Sequence, residues 1–229
     1  MSYFMKFFCL LFLLLFSLQI FSQKDSLKLG DYYADDQLYA SITYSQLSNQ
    51  PKGISKSNFS YSLSAGFIKD FILNTSGTIS VAAGVGYGYD FFNHKLKVEN
   101  LPNATTVFSS DNTISNNIFT SHNLELPLEI RWRTSTANKY SFWRVYTGIK
   151  FLYNFSNTFS YTDANNANFR FTNINAFNKW QYGLTLSAGY DEFNIHVFYG
   201  LSPIFKEATL QSQSIETSIL KFGLVFYFL

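Results

Sequence analysis

Apolar and polar residues alternate one for one along much of this chain. In residues 37–45, Leu38, Ala40, Ile42 and Tyr44 fall on one side of an extended backbone, and Ser41, Thr43 and Ser45 on the other. Residues 59–68 set Phe59, Tyr61, Leu63, Ala65 and Phe67 against Ser60, Ser62, Ser64 and Gly66. A third run sets Ile79, Val81, Ala83, Val85, Tyr87 and Tyr89 against Ser80, Ala82, Gly84, Gly86 and Gly88. The same period returns at 123–133, 142–155, 180–190, 193–202 and 216–229. A period of two, enriched in aromatic and β-branched residues, predicts strands, and helical spacing fits none of these runs. Eight strands are expected.

A secreted antiparallel sandwich would alternate too, but its polar faces meet water and carry Lys, Glu and Thr. Here the polar faces are mostly Ser, Gly, Thr and Asn, which suit a narrow interior. Large aromatics stand at the ends of the apolar faces: Trp132, Trp143, Tyr190 and Phe193 toward one rim and Trp180 near the other. Such girdles mark the two interfaces of a membrane barrel. The fold class expected is therefore all-β, an eight-stranded antiparallel transmembrane outer-membrane β-barrel. The joins at 69–78, 134–141 and 191–192 are short; those at 46–58, 91–122, 156–179 and 203–215 are longer and rich in Asn, Ser and Thr. Short turns belong in the periplasm and long loops outside the cell.

Composition supports export. Of 229 residues, 20% are aromatic and only 14% charged, which argues against disorder. Lys6, the apolar run Phe7–Phe16 and the small or polar residues to Ser22 read as a signal peptide over 1–22. A periplasmic segment, 23–36, would follow, with the barrel over 37–229. The single cysteine, Cys9, lies inside the apolar run, so the mature chain would hold neither disulfide nor cysteine metal site. Its near-balanced charge offers nucleic acid no basic field.

Candidate chemistry concentrates in one hairpin. Glu125, Glu129, Arg131 and Arg133 alternate with the apolar face of the fourth strand, and Arg144 and Lys150 with that of the fifth. All six would point into the lumen. A hairpin folded about residue 138 would bring Glu125 level with Lys150, and Arg131 level with Arg144. These charges suit either a salt-bridged structural core or a polar relay. The other strands are expected to send few charges inward. His94, His122 and His196 have no ligand spacing, so no metal or other cofactor is expected. No Gly-x-Ser-x-Gly turn marks a nucleophile, and no small-molecule substrate is evident. Gly84, Gly86 and Gly88 lack the following helix of a phosphate loop and fit close packing within a strand.

Three stretches are more specific. Leu126-Pro127-Leu128-Glu129-Ile130-Arg131-Trp132-Arg133-Thr134-Ser135, Phe142-Trp143-Arg144-Val145-Tyr146-Thr147-Gly148 and Phe177–Tyr190 resemble the PorT family. The likeness runs from about Tyr33 to the C-terminus. It implies a small outer-membrane barrel of Bacteroidetes that serves the type IX secretion system, and through it surface proteins and gliding. The implied partners are outer-membrane lipid and other secretion components, and no catalytic residues carry over. A non-catalytic scaffold is the expectation. A surface adhesin or structural barrel, and a narrow porin, are the alternatives.

Overall fold

The structure is a computed structural model that describes residues 37–51, 54, 58–101, 105–111, 113–134, 143–190, 193–206, 208–211 and 213–228. The expected signal peptide (1–22) and periplasmic segment (23–36) lie outside the described residues. Eight long strands build the fold: β1 (Gln37–Ser48), β2 (Tyr61–Ile72), β3 (Ile79–Asn93), β6 (Ser115–Arg133), β7 (Trp143–Thr162), β9 (Trp180–Tyr190), β10 (Phe193–Gly200) and β13 (Ser218–Phe228). Each pairs antiparallel with its neighbours in the order β6-β3-β2-β1-β13-β10-β9-β7, and β7 pairs back onto β6. The sheet is thus a closed eight-stranded barrel. Short pieces decorate its outer end: the hairpin β4 (Leu96–Asn100) with β5 (Thr106–Ser110), β8 (Asn168–Thr172) beside the tip of β7, and the two-residue pair β11 (Thr209–Leu210) and β12 (Gln213–Ser214).

Alternation places the faces as the sequence predicts. Leu128, Ile130, Leu184, Leu186, Ile195 and Phe222 are exposed on the outside, whereas Thr43, Ser62, Ser80, Thr185 and Ser187 are buried within. Trp132, Trp143, Tyr190 and Phe193 gather on the outside at one rim, where Trp143 packs edge-on to Tyr190 at 5.5 Å and Phe193 to Phe226 at 5.5 Å. The opposite girdle holds Trp180 against Tyr153 at 4.8 Å, with Tyr87, Tyr89, His122 and Phe155 further round. Trp143 to Tyr153 and Trp180 to Tyr190 are each ten residue steps apart. At ~3.3 Å per residue and a tilt of ~40°, that is a band ~25 Å tall, the height of a barrel's apolar zone.

Several expected boundaries are corrected. β6 begins at Ser115 rather than 123, and β7 runs to Thr162 rather than 155; with the end of β3 and with β4, β5 and β8, most of the expected loop 91–122 and half of 156–179 are strand. β2 covers Tyr61–Ile72 rather than 59–68, which shortens its turn to 73–78. Polar outward residues such as Thr120, Thr158 and Ser160 resemble loop composition, but here they are the wet outer face of strands that have left the membrane. Opposite Pro127 the β3–β6 ladder is interrupted between Ala83↔Leu128 and Gly86↔Glu125, since proline has no N–H to give it.

A bulge lets the barrel change its filling. Asn123 faces Asn154 across β6 and β7, but His122 faces Ser156, so Phe155 is an extra residue. An inserted residue flips the side chains that follow to the other face. Up to Asn154 the even residues of β7 point inward; beyond the bulge Asn157, Phe159 and Tyr161 do. The Asn154 side-chain amide braces the bulge, 3.1 Å from His122 O and 3.0 Å from Ser156 O. Above it the interior is apolar. Phe119 stacks between Phe92 (5.4 Å) and Phe159 (4.5 Å), and Phe108 of the β4–β5 hairpin meets Phe205 at 4.8 Å. With Leu96, Val98, Phe177, Ile204 and Ile215 these residues form a buried plug at the outer mouth.

Phe119→Ala should weaken this plug by about 3–5 kcal/mol, the usual cost of truncating a buried phenylalanine. The expected outcome is faster proteinase K cleavage of the outer segments in detergent, with the heat-modifiable gel shift of the barrel retained. An unchanged cleavage rate would count against the plug.

Candidate functional site: the filled lumen

Below the plug, the barrel interior is a stack of polar tiers. The tier nearest the periplasm is organised by Asp70 on β2. Its Oδ1 accepts from Arg131 Nη1 at 2.7 Å and its Oδ2 from Arg133 Nη1 at 2.6 Å. Arg131 also donates through Nε to Glu129 at 2.9 Å, and its guanidinium lies 4.5 Å from the Tyr146 ring. Arg133 donates to the carbonyl of Gly77 at 2.9 Å, tying the tier to the periplasmic turn between β2 and β3. Gly77 adopts φ 68°, which a side chain would disfavour. Arg144 is buried at the same level, 5.8 Å from the Tyr227 ring.

The middle tier joins Glu125, Lys150 and Tyr39. Lys150 Nζ lies 2.8 Å from Glu125 Oε2, which also accepts from the Tyr39 hydroxyl at 3.1 Å. The inward glycines make this possible. A Cβ on Gly88 would stand 2.6 Å from the Glu125 carboxylate, one on Gly66 2.6 Å from the Tyr39 ring, and one on Gly86 would collide with the Tyr39 hydroxyl. Those glycines are space for a tyrosine and a carboxylate. On the far wall His196 Nδ1 shares a hydrogen bond with Ser187 Oγ at 2.8 Å. The outermost tier pairs Lys221 with Asp90 at 2.5 Å, and Asp90 also accepts from Ser121 at 3.1 Å and Asn123 at 2.9 Å.

All six charged residues read from the hairpin are inside and buried. Their register differs from the expected one. Arg131 lies across from Tyr146, and it is Arg133 that faces Arg144. Lys150 still reaches Glu125, diagonally, because a lysine is long enough to cross one pair. The expectation that other strands send few charges inward is also corrected: Asp70, Asp90 and Lys221 are buried lumen residues on β2, β3 and β13. Parity could have found them. Asp70 and Asp90 continue the even, inward series past the expected strand ends at 68 and 89, and Lys221 sits between outward Leu220 and Phe222.

Four carboxylates thus face five cations, each screened from lipid by the wall. What this arrangement does chemically is hold charge still. The cavity between Tyr39, Glu129, Lys150, His196 and Tyr227 has a volume of about 10 Å³, no more than one water requires. It leaves no room for a substrate beside His196. Among the described residues no three His, Cys, Asp or Glu gather to hold a metal ion.

The histidines sit in different surroundings. His122 points outward in the girdle, its Nδ1 2.6 Å from the Tyr87 hydroxyl. His94 is buried in the outer plug, edge-on to Phe119 and Phe159, and burial pushes its imidazole down to about 3.

Two outcomes follow from these geometries. Asp70→Ala leaves two buried guanidiniums without their shared carboxylate and should cost about 3–5 kcal/mol. The check is the denaturant midpoint in detergent and the temperature of the heat-modifiable gel shift, both of which should fall. For His94, the folded group titrates below the unfolded value of 6.5, so only the unfolded chain takes up a proton between the two. Stability is complete above pH 6.5 and falls by about 1.4 kcal/mol per pH unit from there toward pH 3. In His94→Phe that part of the pH dependence should vanish; melting curves from pH 7 to 4 decide it.

Comparison with known families agrees with this architecture. The family profile described as "Outer membrane protein beta-barrel domain" matches residues 21–206. No curated protein matches the chain significantly. Among solved structures, Ail, the attachment invasion locus protein of Yersinia pestis, is similar at 10% identity over 84% of this chain and 96% of Ail, with a TM-score of 0.36. A structure described under the asymmetric conductivity of engineered proteins is similar at 8% identity over 86% of this chain and all of its own, with a TM-score of 0.16.

Proposed function

We propose that this chain, which belongs to the outer membrane protein beta-barrel domain family, serves in the outer membrane as a non-catalytic scaffold for protein export and not as a pore. The observation that carries this reading is the double closure of the lumen. The charge tiers fill the membrane-spanning half, and the Phe92–Phe119–Phe159 stack covers them. A folded or unfolded cargo has no path through such a cylinder. What remains available to partners is the outer end, built from the projecting β6–β7 hairpin, β8 and the β4–β5 hairpin, and the short periplasmic turns.

The secretion system itself comes from the PorT resemblance of the Leu126–Ser135, Phe142–Gly148 and Phe177–Tyr190 stretches. The type IX secretion apparatus is accordingly the machine that this scaffold serves, and its other components are the partners. A cleaved signal peptide over 1–22 would bring the chain to the periplasm.

Deleting the gene in its native host should abolish release of type IX cargo, and re-expressing the chain should restore it. Unchanged cargo secretion would overturn the export role; unchanged secretion with lost cell attachment would favour an adhesin. In planar bilayers the purified barrel should show no steady conductance.

A further inference from the structure

The polar lumen of the barrel and the apolar plug above it are closed, but a second polar feature lies beside the outer aromatics. Tyr153, Phe155, Lys179 and Lys206 are among the residues that line a cavity of about 270 Å³. Its wall is the 173–175 segment. That wall is built rather than draped. Asn157 N donates to Asn173 Oδ1 at 3.2 Å, and Ile174 N donates to Asn157 Oδ1 at 3.2 Å, which fastens the segment to the bulged part of β7. Lys179 is held by its own carbonyl, which accepts from Asn154 N at 2.8 Å, and Lys206 N donates to Ala176 O at 2.7 Å. Both lysines are exposed, and no carboxylate lines the cavity among the described residues.

Position selects the ligand. Lys179 directly precedes Trp180, whose ring packs on Tyr153 in the outer girdle. Aromatic girdles mark the level of the lipid headgroups. Lys179 stands one residue beyond that level and Lys206 lines the same cavity, so the pair meets the layer in which the outer leaflet carries its phosphates. An ammonium close to the membrane surface is attracted to anionic headgroups, and a lysine satisfies a phosphate as a point charge without needing planar geometry. We propose that this cavity is a binding site for a phosphate-bearing headgroup of an outer-leaflet glycolipid, with Lys179 and Lys206 on the phosphate and Tyr153 and Phe155 against the sugar or proximal acyl carbons. The site would anchor the barrel's outer end at a defined depth, and it stands whether or not the barrel serves export.

The test uses the full chain in dodecyl maltoside, titrated with diphosphorylated lipid A while the fluorescence of Trp180 is followed. Trp132 and Trp143 lie at the opposite girdle, and Trp180→Phe should remove the response. A saturable change is expected, at least tenfold weaker in Lys179→Gln/Lys206→Gln and at least tenfold weaker for dephosphorylated lipid A with the native chain. Equal affinity in the double variant, or for the dephosphorylated lipid, would overturn the proposal. Saturation by inorganic phosphate at the same concentration would overturn it too, by assigning the site to a free anion. Should the double variant lose its heat-modifiable shift, the two lipids compared on the native chain decide the matter.

Discussion

In the hydrocarbon of a bilayer no backbone N–H or C=O can be left to water, so a sheet that enters lipid has to close on itself. Here closure falls to the ladder between the first and last strands. Eleven pairs, from Leu38↔Phe228 to Ser48↔Ser218, join the two ends of the described barrel. Everything else in the molecule answers to the cylinder this ladder completes. Eight strands leave an interior only as wide as side chains can fill. That width is why glycines stand opposite Tyr39 and Glu125, and why one carboxylate, Asp70, serves two arginines.

Burying nine charges in such a space is costly unless each is paired, and pairing contributes little to stability over an apolar filling of the same volume. The tiers are better understood as a specification of register. Asp70, Glu129, Arg131 and Arg133 meet only if β2 and β6 are both aligned with β3 as observed. A slip of one residue would turn these charges toward lipid. The Phe155 bulge then ends the polar filling and begins an apolar one, at the height where the strands leave the membrane. The outer segments acquire a core of their own and are held over the mouth. The same bulge, through Asn154 and Asn157, fixes the wall of the lysine-lined cavity outside. A single inserted residue therefore shapes both the closed interior and the exposed surface of the outer end.

Much of the membrane-spanning barrel was legible in the residues. Period-two runs such as Ile79–Tyr89 and Trp180–Tyr190 state which face meets lipid, because a side chain's face depends only on its parity along a strand. The same parity put Glu125, Glu129, Arg131, Arg133, Arg144 and Lys150 in the lumen. The outer ends of β6 and β7 were not legible. Once a strand leaves the bilayer its outward face is wet, and Ser115–Thr120 or Ser156–Thr162 then has the composition of a loop. The pairing of the charges was not legible either. It depends on hairpin register, and a shift of two residues separates Arg131 from Arg144 and sets Arg133 there instead.

By itself, then, the order of the residues determined the strand period, the closed β architecture and the solvent on each face of the spanning segments. These follow from local alternation and from the demand that lipid makes on backbone polar groups. Only the tertiary structure decided which partners Asp70, Asp90 and Lys221 meet in the lumen, that Phe159 turns inward, and that the outer end is a plugged, folded cap. Each of these rests on contacts between strands distant in sequence, or on one bulge that reverses parity, and alternation along a single strand carries no record of either.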